Sequence, residues 1–185
     1  REEVRKRFLA YLNMATVYSR MNWFFDHIVK YAEKAIANAD VSTPFEVEDC
    51  INLLALGQSK TFKLKDAKIN VEKIIDSANL LDVSERERNS HLGKYYHTFA
   101  LLYRASSNEN RLEKYYEYQQ LSLDYYLKAY GKDSAHMILP YLETAEAAAF
   151  KHHGEAIDYY RKAENLCLFY YGAESPQMEE CISYL

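Results

Sequence analysis

The side chains best suited to chemistry in this 185-residue chain gather at His152-His153 and Glu155. Imidazole and carboxylate can ligate metals or move protons. Adjacent residues on a turn do not aim both rings at one ion, and a closed structural zinc site takes four donors. Polar turn filling is the better reading, and no metal is expected. Cys50, Cys167 and Cys181 are odd in number, far apart, and form no CxxC pair. They read as small buried apolar groups in a reducing compartment. No glycine-rich phosphate loop is present. Nothing marks a nucleophile with its base, because the histidines lie in ordinary helical or turn contexts and Cys50 and Cys167 sit among apolar neighbours. The expectation is a chain with no catalytic residues and no cofactor.

The elements that would position these groups are announced by a phrase used twice. Tyr130-Gly131-Lys132-Asp133-Ser134-Ala135-His136-Met137 returns 41 residues later as Tyr171-Gly172-Ala173-Glu174-Ser175-Pro176-Gln177-Met178. Glycine after a helix accepts a left-handed backbone at little cost. Serine three residues on can cap the next helix, and Pro176 fits a first helical position, where its missing N–H is harmless. Such a stop-start signal at this period marks stacked helical hairpins.

The rest of the chain follows the same grammar. Val4, Phe8, Leu12, Ala15 and Tyr18 recur at helical steps, predicting a helix over 1–21. Asn22 interrupts it, and 23–39 form its return partner. Thr43-Pro44-Phe45-Glu46 is a capping box that opens a helix ending at Gly57. Gln58–Lys65 reads as a polar, basic loop, after which Asp66 caps a helix to Leu81. Ser84-Glu85-Arg86-Glu87 opens a helix to Ala105, and a helix over 109–130 follows. Pro140 is expected to kink the first turns of a helix over 135–151. His153-Gly154 turns the chain, 155–171 returns it, and a ninth helix begins near 176. Small residues mark the first helices at Ala15, Ala55, Ala100 and Ala145, and the second helices at Ala35, Ala78, Ser122 and Ala163. Small side chains at such points let helix axes approach closely.

Composition narrows the class. The apolar share is 49%, enough for a continuous core, while Gly (5) and Pro (3) are too scarce for sandwiches or long linkers. A net charge of −4 leaves no basic excess to hold nucleic acid, and no long apolar run calls for membrane insertion. Tyrosine stands out with 18 copies against 8 Phe. Filling helix seams whose ends reach water is favoured over a Tyr-lined groove. The fold class is thus all-α, a right-handed α-solenoid of antiparallel helical hairpins. One repeat domain is expected over 1–185, with hairpins near 1–39, 43–81, 84–130 and 134–171 and the start of a further helix at 175–185. The chain opens in mid-helix pattern and closes just after a helix begins, so it reads as a piece of a longer protein.

Asn13-Met14-Ala15-Thr16-Val17-Tyr18 resembles the Asn-Leu-Ala-x-x-Tyr core of first helices in tetratricopeptide repeats of the kinesin light chain kind. Glu155-Ala156-Ile157-Asp158-Tyr159-Tyr160-Arg161-Lys162-Ala163 resembles the matching second helix. Tyr171-Gly172-Ala173-Glu174-Ser175-Pro176 is similar to the Leu-Gly-x-x-His-Pro link of that 42-residue variety. The likeness is good at both ends of the chain and poor over 46–81 and 84–130. It implies a concave groove lined by first helices, with Leu9, Asn13, Thr16 and Arg20 from the first helix. Lys94, His97, Leu101 and Arg104 would come from the fifth helix, and Glu143, Glu146 and Phe150 from the seventh. The resemblance places Asn13 where the family holds a peptide backbone. Positions equivalent to it are Thr98 and Glu143, and an acidic side chain repels a carboxylate, which disfavours the family's grip on chaperone C-termini.

The implied function is a non-catalytic interaction module, an adaptor or scaffold. It would bind a partner's peptide segment or helix in the groove, without nucleic acid or membrane insertion, in a cytoplasmic or cytoskeleton-associated setting; its oligomeric state is open. Two alternatives stand beside it: the accessory C-terminal helical domain of an enzyme such as a SET-MYND-type lysine methyltransferase, and a structural subunit of a cytoskeletal or transport assembly.

Overall fold

A computed structural model of the chain describes residues 1–21, 24–39, 42–61 and 63–183, and among these no strand occurs. The expected break at Asn22 therefore lies outside the described residues, as do 184 and 185 of the expected last helix. The chain divides into two compact units, Arg1–Asp82 and Val83–Leu185.

The first unit holds α1 (Glu2–Met21), α2 (Phe25–Ile36), α3 (Pro44–Lys60) and α4 (Leu64–Leu80). Helix α2 is amphipathic, burying Ile28, Ala32 and Ala35 at steps of four and three. Phe8 of α1, Ala35 of α2 and Cys50 of α3 meet in one cluster. The capping box at α3 is complete: Thr43 Oγ1 accepts from the Glu46 N–H at 3.4 Å, and Glu46 Oε2 accepts from the Thr43 N–H at 2.8 Å. The same carboxylate receives both guanidinium nitrogens of Arg5, at 2.6 and 2.5 Å, tying α1 to α3. The Arg5 hydrogen bonds hold the Glu46 carboxyl below the usual range.

Gly57 does not end α3, which runs on to Lys60. A methyl group on Gly57 would stand 2.7 Å from Val29 Cγ2 and 3.1 Å from the Phe25 carbonyl oxygen. Glycine is there because α2 passes too close for any side chain. The loop expected over 58–65 accordingly shrinks, since α4 already begins at Leu64, with Lys63 at its N-cap and Asp66 in its first turn. Phe62 lies outside the described residues.

In the second unit α5 (Glu85–Arg104) and α6 (Arg111–Tyr130) form a tight hairpin. Ser84 Oγ accepts from the Glu87 N–H at 3.2 Å and caps α5. Ser122 Oγ donates to the Gly93 carbonyl at 2.7 Å, so the buried hydroxyl is satisfied across the α5–α6 seam. Helix α6 stops at Gly131, whose φ of 75° and ψ of 157° fall in a region open almost only to glycine. Ser134 then caps a single 3-10 turn, Ala135–Met137, ahead of α7 (Ile138–Ala148). This corrects the helix expected over 135–151. Pro140 occupies the first turn of α7, where the N–H it lacks would have no partner inside that helix, so it needs no kink.

Helix α8 (His153–Tyr171) begins at the pair expected to turn the chain, and the turn falls just before it. Gly172, with φ of 84°, ends α8, and Ser175 Oγ accepts from the Met178 N–H at 3.1 Å to start α9 (Pro176–Ile182). Leu123, Met137, Leu142, Ala163, Cys167, Met178 and Cys181 make one core cluster of this unit. Ala100, Tyr115, Tyr116, Ala147, Ala148 and Ala156 make a second. All eight small residues of the spacing series have no exposed surface. Tyrosines fill the seams: Tyr18 stacks on Tyr31 at 5.6 Å between α1 and α2, Tyr103 on Tyr118 at 5.1 Å, and Tyr141 on Tyr159 at 6.3 Å.

Candidate binding groove

Within the second unit two polar side-chain crossings join α5 and α7. Arg104 Nη1 lies 2.7 Å from Glu146 Oε1, and His97 Nδ1 lies 3.3 Å from Glu143 Oε2. Next to the His97 crossing a hollow of about 650 Å³ opens. Helix α5 contributes Lys94 and His97 to it, α7 contributes Ile138, Leu139 and Glu143, and α9 contributes Gln177 and Cys181. Tyr126 and Tyr130 of α6 border it as well. Leu139 is half exposed and Leu142 is buried, so the α7 wall offers apolar surface with firm backing.

The chemistry of the hollow centres on His97. Its Nδ1 lies 2.9 Å from the side-chain amide oxygen of Gln119 and 3.3 Å from Glu143 Oε2. Gln119 is wholly buried beneath it. Burial pushes the Glu143 carboxyl above its ordinary range; nearby Glu146 adds to the shift while His97 opposes it. Among the described residues no serine, threonine or cysteine hydrogen-bonds His97.

The expected groove residues fall in different places. Lys94 and His97 line the hollow, while Arg104 and Glu146 pair beside it, the Arg104 guanidinium also lying 5.5 Å from the Tyr115 ring. Phe150 packs edge-on against Tyr115 at 6.2 Å. Asn13 belongs to the first unit, where it borders a separate hollow of about 430 Å³ with Met14, Val17, Tyr18, Met21, Phe24 and His27. Arg20 is exposed on α1 and lines neither hollow. Thr16 donates to the Leu12 carbonyl at 2.9 Å, so its hydroxyl serves its own helix, and Leu9 packs against the Phe8 cluster. Thr98 is buried.

His152 meets two carboxylates, one of which sequence spacing could not reveal. Its Nε2 lies 3.8 Å from Glu113 Oε1 and its Nδ1 lies 3.7 Å from Glu155 Oε1, with the ring stacked on Tyr116 at 4.4 Å. The two nitrogens lie near different carboxylates, one on α6 and one on α8, at distances too long for hydrogen bonds. Among the described residues no group of His, Cys, Asp and Glu is arranged to hold a metal, and no helix is long and apolar enough to cross a membrane. Gln119 was likewise invisible to sequence reasoning, because its role exists only once α6 lies under α5.

No family model matches the chain, and no curated protein matches it. Among solved structures it is similar to the crystal structure of BtubC (BKLC) from P. vanneervenii, with a TM-score of 0.69 at 17% sequence identity. The match covers 85% of this chain, and this chain spans 62% of that one. At that identity the likeness speaks to fold: the chain is an all-α solenoid of the TPR-like helical-repeat kind.

Proposed function

We propose that the chain is a non-catalytic protein-interaction module of the 42-residue, kinesin-light-chain-like repeat type, acting as an adaptor or scaffold. Its second unit receives an extended peptide or a helix from a partner in the hollow between α5, α7 and α9. The observation that carries this reading is the furnishing of that hollow: a half-exposed leucine on a buried apolar wall faces Lys94 and His97 across it. Apolar anchoring with a few fixed polar groups is how such grooves bind and discriminate. Three free, buried cysteines fit a reducing, cytoplasmic setting.

A peptide display library panned against the whole chain tests the reading. Selected peptides should bind Leu139→Glu at least about tenfold more weakly, because the new carboxylate sits on the apolar wall. Leu139 is half exposed, so the variant should melt like the parent. Equal binding by parent and variant would show that the peptides sit elsewhere.

A further inference from the structure

One end of the groove continues into a crevice of about 380 Å³, bordered by the start of α5, the end of α6 and the 3-10 turn. We propose that this crevice is an oxyanion site, taking the phosphate of a phosphoserine or phosphothreonine on the peptide that lies in the groove; the peptide part rests on the function proposed above. Ser90, His91, Tyr130 and His136 border both spaces, so a ligand can occupy them together.

Arg86 supplies the charge. Its guanidinium pairs with no carboxylate among the described residues and lies 5.5 Å from the Tyr130 ring centroid. Contact with a ring face holds the cation while leaving its in-plane N–H donors for another partner. Tyr130 is itself fixed, its hydroxyl 2.6 Å from Ser90 Oγ and its ring 4.5 Å from that of His136. His91 is oriented by its Nδ1, 3.2 Å from the Tyr95 hydroxyl. Donor groups thus come from α5, from the end of α6 and from the turn beyond it. A tetrahedral phosphate can accept from several sides, whereas a carboxylate accepts in one plane.

Arg86 is the cation of the crevice, and one carboxylate stands against it. Glu87 borders the crevice and offsets Arg86. The start of α5 and the end of α6 present opposite dipole ends, which largely cancel. The imidazoles of His91 and His136 border the crevice and can add N–H donors beside Arg86.

The test uses nuclear magnetic resonance of the whole chain, following the histidine rings and the Arg86 side-chain N–H. The probes are a short phosphoserine peptide with flanking leucines, its unphosphorylated twin, acetate and inorganic phosphate. The phosphopeptide should give saturable shifts at His91, His136 and Arg86, and the twin and acetate should not. Inorganic phosphate should shift the same signals but bind more weakly than the phosphopeptide. Arg86→Gln should weaken the phosphopeptide by about tenfold or more, and Glu87→Gln should tighten it. Both positions are exposed, so folding is not at issue. Acetate matching phosphate, no saturable shift, or indifference to Arg86→Gln would overturn the site. Equal affinity for inorganic phosphate and phosphopeptide would overturn its link to a peptide. If these fail while library peptides still lose affinity on Leu139→Glu, the anchor falls and the groove stands.

Discussion

Gly57 of the first unit and the helix-ending glycines of the second serve opposite purposes, and the two units furnish their hollows with different chemistry. In the first unit Gly57 sits inside a continuing helix because α2 leaves no room for a methyl group. In the second, Gly131 and Gly172 stop their helices with positive φ, and nothing lies near the place where a side chain would go. The hollow beside Asn13 is walled by methionine, valine and aromatic rings, whereas the one beside His97 carries Lys94 and the half-buried acid Glu143. Gly57 answers to a neighbouring helix, as Gly93 of α5 does to the Tyr126 ring at 2.9 Å, whereas Gly131 and Gly172 answer to local conformation.

Substitution separates the two purposes. Alanine normally improves on glycine inside a helix, yet Gly57→Ala should destabilise the chain by about 2 kcal/mol in urea denaturation, because the new methyl meets Phe25 backbone. A gain in stability would mean that α2 and α3 are not so close. Gly131→Ala and Gly172→Ala should each cost about 1–2 kcal/mol through backbone strain alone; D-alanine, introduced by semisynthesis, should restore most of it. At the start of α3, Thr43→Ala should cost about 1 kcal/mol, read from the melting temperature. Gly154→Ala, in open space in the first turn of α8, should stabilise by about half a kcal/mol.

The contrast between hollows can be sharpened with pH. The folded chain holds the Glu143 proton to higher pH than the unfolded chain does. That contribution is present below the ordinary carboxylate range and fades as pH rises through the raised value. Glu143→Gln keeps the size and an oxygen for His97 but cannot ionise. Parent and variant should therefore agree in acid, and the variant should become the more stable as pH climbs. A difference that does not change with pH would place Glu143 in water.

Much of the fold is legible in the sequence because its signals are local. Thr43 with Glu46, Ser84 with Glu87, and the Gly131 and Gly172 phrases act within a few residues, and each acts as a cap or stop in the structure. The misreadings are all cases where a distant contact or a position within a turn decides. Gly57 looks like a helix end until Val29 and Phe25 are beside it, and Pro140 looks like a kink until a 3-10 turn moves the helix start to Ile138. For the site, repeat register was enough to bring up Lys94 and His97. Gln119 under His97, Glu113 beside His152, and the Arg86–Tyr130–His136 cluster each join helices far apart in sequence, and no spacing encodes them.

Hydrogen exchange on the whole chain, with and without a library-selected peptide, tests the central claim most directly. Protection should concentrate on α5 around His91–His97 and on α7 around Leu139–Glu143. Protection confined to the first unit, or to α6 and α8 away from the hollow, would contradict it.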